Sequence, residues 1–437
     1  MNPVREEREA LRLEGEGGYS VVELVAAVTI FALVFAAVSF GIGRALDVTR
    51  NNRNRTTAAY LAASELEEVR SASFDQVALG RTVCSYQAPS ATCSVPSPYT
   101  VTREVSWVTP TATSSSCNVP SGSSGAALAY KRVNVRVTWD DMRAVAPVAT
   151  QTLLTPPAGA YDPDAGHIAV RVFDRTAIPL AGQAVTLSGP ATASQVTTAD
   201  GCAFFAYLDP GSYTVSLSTA GHVGRQGDQP ATQTAAVLAS QITTLQFDYD
   251  RAATLDVAML APAGAQIPSG MATTVANSNL TVGTKTFSEA STGGGATRTV
   301  TPLFPFSSGY QVWAGECADA DPAAHPGGSR GAALASNPGA TTSGSATLDA
   351  VDVQVRTASG PVPGATVRAT HAGGTGCPSG VTLTSATPTD ANGRLLLALP
   401  YGTWTVTATG GSGSVSSPAT LVDPVSPSIP SITLVLP

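Results

Sequence analysis

Lysine is almost missing from this chain of 437 residues: of 24 basic side chains only Lys131 and Lys285 are lysine, and all charged residues together make up 13%. No basic run occurs and the formal net charge is −7, so there are no clustered cations to hold a phosphate backbone, and direct nucleic-acid binding is not expected. None of the six cysteines stands in a C-x-x-C pair, which argues against zinc. The four histidines, His167, His222, His325 and His371, show no His-Glu or His-x-x-x-His spacing and are read as loop residues rather than ligands. No Gly-x-Ser-x-Gly elbow and no P-loop is present, and no set of acid, base and nucleophile converges, so no catalytic residue, enzyme activity or cofactor is expected. The run "CADADP" offers Asp319 and Asp321, two carboxylates where a calcium loop needs about six oxygens, and no metal is assigned.

What is present is Ala, Gly, Ser, Thr, Val and Pro, the composition of polar-faced strands and turns. The length exceeds what one hydrophobic core organises, so two to four domains are expected. The cysteines, Cys84, Cys93, Cys117, Cys202, Cys317 and Cys377, are even in number and all lie beyond the N-terminal apolar segment, a pattern that favours disulfides in an oxidising compartment over unpaired buried thiols. Six cysteines allow fifteen connectivities; Cys84 and Cys93 are close enough to bridge a hairpin or loop.

The N-terminal segment "GEGGYSVVELVAAVTIFALVFAAVSFGIGR" contains no charge from Leu24 to Gly43, a run long enough to span a bilayer core as a helix. A secretory signal would have a basic start, a shorter apolar core and a cleavage site after it. Here the leader "MNPVREEREALRLEGEGG" carries three Arg against five Glu, and its flexible break, Gly17-Gly18, precedes the apolar run. Downstream, Ala58, Leu61 or Ala62, Leu66 and Val69 recur at three- and four-residue steps, which predicts one helix from about Tyr19 to Ser71, about 75 to 80 Å long. Glu23 heads the apolar half. A carboxylate there is costly unless paired, and two readings stand: an interfacial glutamate at the positive helix end, or one half of an ion pair with another molecule.

The block "GG-YSVVELVAAVTIFALVF" resembles the type IV prepilin N-terminus, and "AAYLAASELEEVRSASF" is similar to the end of the long helix in minor pilins. The resemblance implies that a prepilin peptidase cuts after Gly18 and methylates Tyr19. It also implies that Glu23, fifth in the mature chain, pairs with the new amine of a neighbouring subunit. The leader departs from the family in being net acidic.

Beyond the helix, "YTVTREVSWV" and "YKRVNVRVTWDD" alternate apolar and polar residues as half-buried strands do, around the polar loop "TPTATSSSCNVPSGSSG". Their sheet is expected to cover Leu61, Leu66 and Val69, and "TPPAGAYDPDAG" is read as the linker that follows. Two later segments repeat one pattern, from Val170 and from Val353: a strand, a Pro/Gly turn, a strand, a turn at Asp200-Gly201 or Asn392-Gly393, then Gly211-x-Tyr213-x-Val215 or Gly402-x-Trp404-x-Val406. These resemble carboxypeptidase-regulatory-like and collagen-adhesin B-type modules, sandwiches of the prealbumin kind. The Lys-to-Asn cross-link of some adhesin modules is excluded in both, since neither contains lysine. Trp107, Trp139, Trp313 and Trp404 all fall in alternating strands and are expected in cores rather than stacked on sugars.

The expectation is therefore a mostly β, multidomain protein: a leader over 1–18, a pilin-like α+β domain over 19–157 with its long helix over 19–71, and antiparallel β-sandwich modules over 163–249, 250–348 and 349–437. It would be a minor pilin or pilin-like subunit of a type IV pilus or related filament, displaying its modules for adhesion or spacing. Its partners would be the prepilin peptidase, other pilins through the helix, the membrane, and a surface ligand of the modules. It would sit in the cytoplasmic membrane before assembly and at the cell surface after. The alternatives are a single-pass membrane-anchored surface protein, and a pseudopilin of a type II secretion or DNA-uptake system.

Overall fold

The computed structural model describes residues 20–437 except 90–92, 110–116, 119–122, 125–128, 143–144, 158–161, 163, 374–375, 378–379, 412 and 424–427. The chain divides into two compact units, one holding the residues to Val77 with Arg81–Val105 and Val133–Leu153, the other holding Ala78–Gly80, Ser106–Arg132 and Leu154–Pro437.

In the first unit a helix of 51 residues, Val21–Ser71, starts at Ser20, whose hydroxyl oxygen accepts the Val22 N–H at 3.3 Å and so satisfies one of the open donors of the first turn. Within its apolar half the Thr29 hydroxyl donates to the Val25 carbonyl at 2.7 Å, which lets a polar residue sit there without an open donor. Only Ala58, Ala62, Leu66 and Val69 are buried, at steps of four, four and three residues. The stripe thus runs through Ala62, with Leu61 half-buried beside it, because the four-residue step keeps Ala58, Ala62 and Leu66 in register.

Beside the helix lies a four-stranded sheet in the order Gly80–Ser85, Tyr99–Val108, Tyr130–Trp139, Val148–Leu154. Tyr99, Val101, Val105, Val133, Val135, Val137 and Trp139 are its buried apolar and aromatic positions, with Lys131 buried among them. Three polar ties hold helix to sheet: Tyr99 Oη to Asn54 Oδ1 at 3.3 Å, Arg103 Nη1 to Glu65 Oε1 at 2.9 Å, and Arg70 Nη2 to Thr152 Oγ1 at 3.2 Å.

The second unit contains three β-sandwich modules. The first packs the sheet Ala231–Val237, Gly211–Leu217, Ala184–Ser188, Ala193–Val196 on a sheet whose main path is His222–Gly224, Gln241–Arg251, Gly166–Phe173, Cys202–Leu208. Inward residues of alternating strands, among them Ile168, Val170, Val185, Tyr213 and Phe247, fill its core. The middle module has two three-stranded sheets, built around Ala253–Leu260 and Thr273–Ala276, and the last is built around Asp349–Thr357 and Gly402–Gly410. The cores of the middle and last modules form one continuous cluster, with Leu255, Val300 and Tyr310 joining Val353, Leu397 and Val406.

The two sequence repeats fold alike down to single atoms. Gly201 and Gly393 have φ of 70° and 69°, and a Cβ on either would come within 2.5 Å and 2.3 Å of a strand carbonyl, Val172 or Val355. Both turns therefore require glycine. Four residues before each glycine a threonine caps the preceding strand: Thr197 Oγ1 accepts the Gln183 N–H and Thr389 Oγ1 accepts the Ala365 N–H, both at 2.9 Å. The buried aromatics also match, since Tyr213 Oη donates to the Asp209 carbonyl at 3.1 Å and Trp404 Nε1 to the Pro400 carbonyl at 3.0 Å, each four residues back.

The sheets are mostly antiparallel, with one parallel pairing in each module. In each, the first strand pairs in parallel with the last: Gly166–Phe173 with Gln241–Arg251, Ala253–Leu260 with Thr341–Thr347, and Asp349–Thr357 with Ser431–Val435. Parallel first and last strands put the entry and exit of each module at opposite ends.

Candidate functional site

The processing and assembly residues expected from the sequence, Gly18, Tyr19 and Glu23, lie at the start of the N-terminal helix. Gly18 and Tyr19 lie outside the described residues. Glu23 occupies the first helical turn, where its negative charge faces the positive helix end. Among the described residues its carboxylate has no hydrogen-bond or ion-pair partner. Every residue from Val21 to Arg50 is exposed, including Phe31 at 71% and Phe35 at 65%, so the apolar half of the helix packs against nothing in the described chain. It is long and apolar enough to cross a membrane. An unbroken apolar surface of this size marks a membrane or protein interface. Arg44, Arg50, Arg53 and Arg55 follow it; Arg44 lies over the Phe40 ring at 5.2 Å and Arg50 reaches Asp141 at 3.8 Å on the open surface.

The structure joins the six cysteines as Cys84–Cys93, Cys117–Cys202 and Cys317–Cys377, separated by 9, 85 and 60 residues. Cys117–Cys202 fastens the segment after Tyr99–Val108 onto the first sandwich. That attachment is reinforced where Ser123–Ser124 pairs with Gln241 and Ile242, and where Tyr207 Oη bonds both the N–H and the carbonyl of Ala129. Cys317–Cys377 ties the middle module to the last.

Three of the four histidines lie in strands rather than in loops. His167 lies in Gly166–Phe173, is 1% exposed, and accepts the Tyr207 N–H on Nδ1 at 3.0 Å. His222 opens a short strand and stacks on Tyr249, and His371 ends the strand Thr366–His371. Only His325 follows a helical turn, with Nε2 2.7 Å from the Asp319 carbonyl. Rings with such partners tolerate burial, which period-two patterning does not reveal.

Both aspartates of "CADADP" are engaged. Asp319 meets His371 Nε2 at 2.9 Å. Asp321 takes a forked bond from Arg330 and the Ala323 N–H at 2.9 Å. Burial pushes the Asp321 carboxyl up, but the Arg330 guanidinium and the backbone donor together hold it below the usual carboxylate range. Trp139, Trp313 and Trp404 are buried, while Trp107 is half-buried with Lys131 Nζ 5.4 Å from its ring centre. Lys285 donates to the carbonyls of Gln226 and Gly227 at 2.9 and 3.0 Å, joining the middle module to the first; burial lowers its pKa, with Asp228 opposing.

Two groupings escaped sequence reasoning. Cys317, His371 and Cys377 converge beside Asp319, from positions up to 60 residues apart. Arg298 is fully buried in the middle module, paired with Glu289 Oε1 at 2.7 Å and with the Gly293 carbonyl, while its Nε and Nη2 have no partner among the described residues. A signal for the second was present, because Arg298 shares its strand face with Val300.

No protein-family model matches the chain, and no curated protein matches it. Among solved structures it is similar to the Bacillus anthracis TIE protein, at 12% identity and TM-score 0.20, over 82% of this chain and 67% of that one. It is similar to a streptococcal ancillary pilin at 10% identity and TM-score 0.18, over 70% of this chain and 76% of that one. It is also similar to BcpA, the major pilin subunit of Bacillus cereus, at 12% identity and TM-score 0.20, over 62% of this chain and 98% of that one. At these TM-scores the likenesses assign no role to any residue of this chain.

Proposed function

We propose that the chain is a minor subunit of a type IV pilus or a related filament, cut by a prepilin peptidase after Gly18, methylated at Tyr19 and held in the membrane by its helix until assembly. The observation that carries this reading is an exposed apolar helix half with a carboxylate in its first turn, Glu23, that has no partner among the described residues. Cleavage at Gly18 creates an amine at Tyr19. When helices bundle, Glu23 of one subunit meets the amine of its neighbour. A subunit inserted out of register buries that carboxylate unpaired, at a cost of several kcal/mol, so the pair selects both register and partner.

The modules from residue 163 onward would crowd a shaft if every subunit carried them, which favours a tip or low-abundance position. Entry and exit at opposite ends suit each module to spacing, and a surface ligand would be met by the distal ones. The three disulfides fit an extracytoplasmic location.

Glu23→Ala in the full-length chain tests this against a single-pass anchored surface protein, for which Glu23 serves only as an interfacial cap. Incorporation into sheared filaments is expected to fall at least about tenfold, as the loss of even 1.4 kcal/mol requires, while membrane insertion and the three disulfides persist. Equal incorporation of wild type and variant would contradict the assembly role.

A further inference from the structure

We propose that Cys317, His371 and Cys377, once their disulfide is reduced, form a binding site for a borderline-soft divalent ion of the zinc kind, with Asp319 positioning the histidine. The proposal does not depend on the filament reading.

The donor atoms already converge: both Sγ atoms and a ring nitrogen of His371 lie within 4.8 Å of one another. In a tetrahedral site, metal–sulfur bonds of about 2.3 Å and metal–nitrogen bonds of about 2.0 Å leave ligand atoms somewhat under 4 Å apart, so a modest separation of the sulfurs is enough. The surroundings are built rather than open. Cys317 is 5% exposed, and the His371 side chain is 3% exposed. The ring meets Trp404 edge-on at 5.2 Å between centroids. Its Nε2 lies 2.9 Å from the Asp319 carboxylate, the partner that characteristically orients a metal-binding imidazole and raises its basicity. The ion would therefore take Nδ1, which in the oxidised chain accepts the Gly373 N–H at 3.2 Å and would exchange that bond for the metal. Gly402 closes the site from the adjacent strand of the same sheet: a Cβ there would lie 2.9 Å from Asp319 Oδ2 and 3.1 Å from His371 Nε2, so only glycine leaves the pair in place.

The two states exclude each other. An external dithiol reductant delivers two electrons to the S–S bond and becomes a disulfide itself, and each cysteine sulfur takes one proton. The divalent ion then displaces those two protons as it binds the thiolates and the imidazole, leaving a fourth position for water. Because Cys317 belongs to the middle module and His371 and Cys377 to the last, the ion would keep the connection that the disulfide otherwise makes. A chain carrying free thiols before oxidation would thus hold a metal staple where the oxidised chain holds a covalent one.

The test uses the full-length chain in detergent, reduced with a dithiol, freed of reductant without air and titrated with Co²⁺ and then Zn²⁺. Reduced wild type is expected to show thiolate-to-cobalt charge-transfer absorption that one equivalent of Zn²⁺ removes, and oxidised protein none. His371→Ala and Cys377→Ser should each weaken binding at least tenfold, and Asp319→Asn about 10- to 100-fold. The other four cysteines are the same in all variants, so the differences isolate this site. A non-reducing digest of oxidised His371→Ala that still yields the Cys317–Cys377 peptide shows that the variant folds; where it does not, Cys377→Ser carries the comparison. Equal binding by reduced wild type and the folded variants, or no charge-transfer absorption, overturns the proposal.

Discussion

Arg298 heads the largest fully buried side chains among the described residues, and its charge is balanced by one carboxylate, Glu289, whose side chain is 22% exposed and whose second oxygen accepts the Gly270 N–H. Removing one partner of such a pair leaves a charge stranded in the core, which costs about 3 kcal/mol or more. Glu289→Ala is therefore expected to destabilise the middle module by about that amount, read as an earlier loss of hydrogen-exchange protection in Ala253–Leu260 than in the first sandwich. Equal protection would show that the guanidinium finds other partners. At this scale the sequence is legible where one residue suffices for the inference: Glu23 stands out because nothing around it is charged. It is illegible where partners come from distant strands, as with His371 and Asp319, which are 52 residues apart.

The long helix is the most legible element. Its three- and four-residue periodicity marks the face that is buried, through Ala58, Ala62, Leu66 and Val69, because a helix repeats its face regardless of what covers it. Leu66 is the largest residue of that stripe, and Leu66→Ala is expected to cost about 2 to 4 kcal/mol and to free the helix for proteolysis near Arg70. An unchanged digest would mean that the sheet does not depend on the stripe. Strands were legible in their faces but not in their neighbours. Alternation placed Val133, Val135 and Val137 inward, yet nothing in a period of two announces that Gln241–Arg251 lies parallel to Gly166–Phe173. Repetition did carry information, since the matching turns at Gly201 and Gly393 fold with the same capping threonine and buried aromatic.

Across the whole molecule, composition indicated a multidomain β protein behind an apolar helix, and the structure has that form. Connectivity was not readable. The segment "TPPAGAYDPDAG" read as the link to the modules, whereas Ser106–Arg132 also belongs to the second unit and is fastened there by Cys117–Cys202. A bridge closing 85 residues restrains the unfolded chain by up to about 4 to 5 kcal/mol. The double variant Cys117→Ser with Cys202→Ser is therefore expected to lose hydrogen-exchange protection at Ile242 and Phe204 first. Unchanged protection there would assign the attachment to the Ser123–Ser124 pairing and Tyr207 instead.

The central claim, the proposed pairing of Glu23 with the amine of a neighbouring subunit, requires processing after Gly18. It is tested most directly by the intact mass and N-terminal peptide of the protein from sheared surface filaments of cells with an active prepilin peptidase. The account predicts a chain that begins at Tyr19 with a methylated amine. A chain from the same cells that retains Met1 would contradict it.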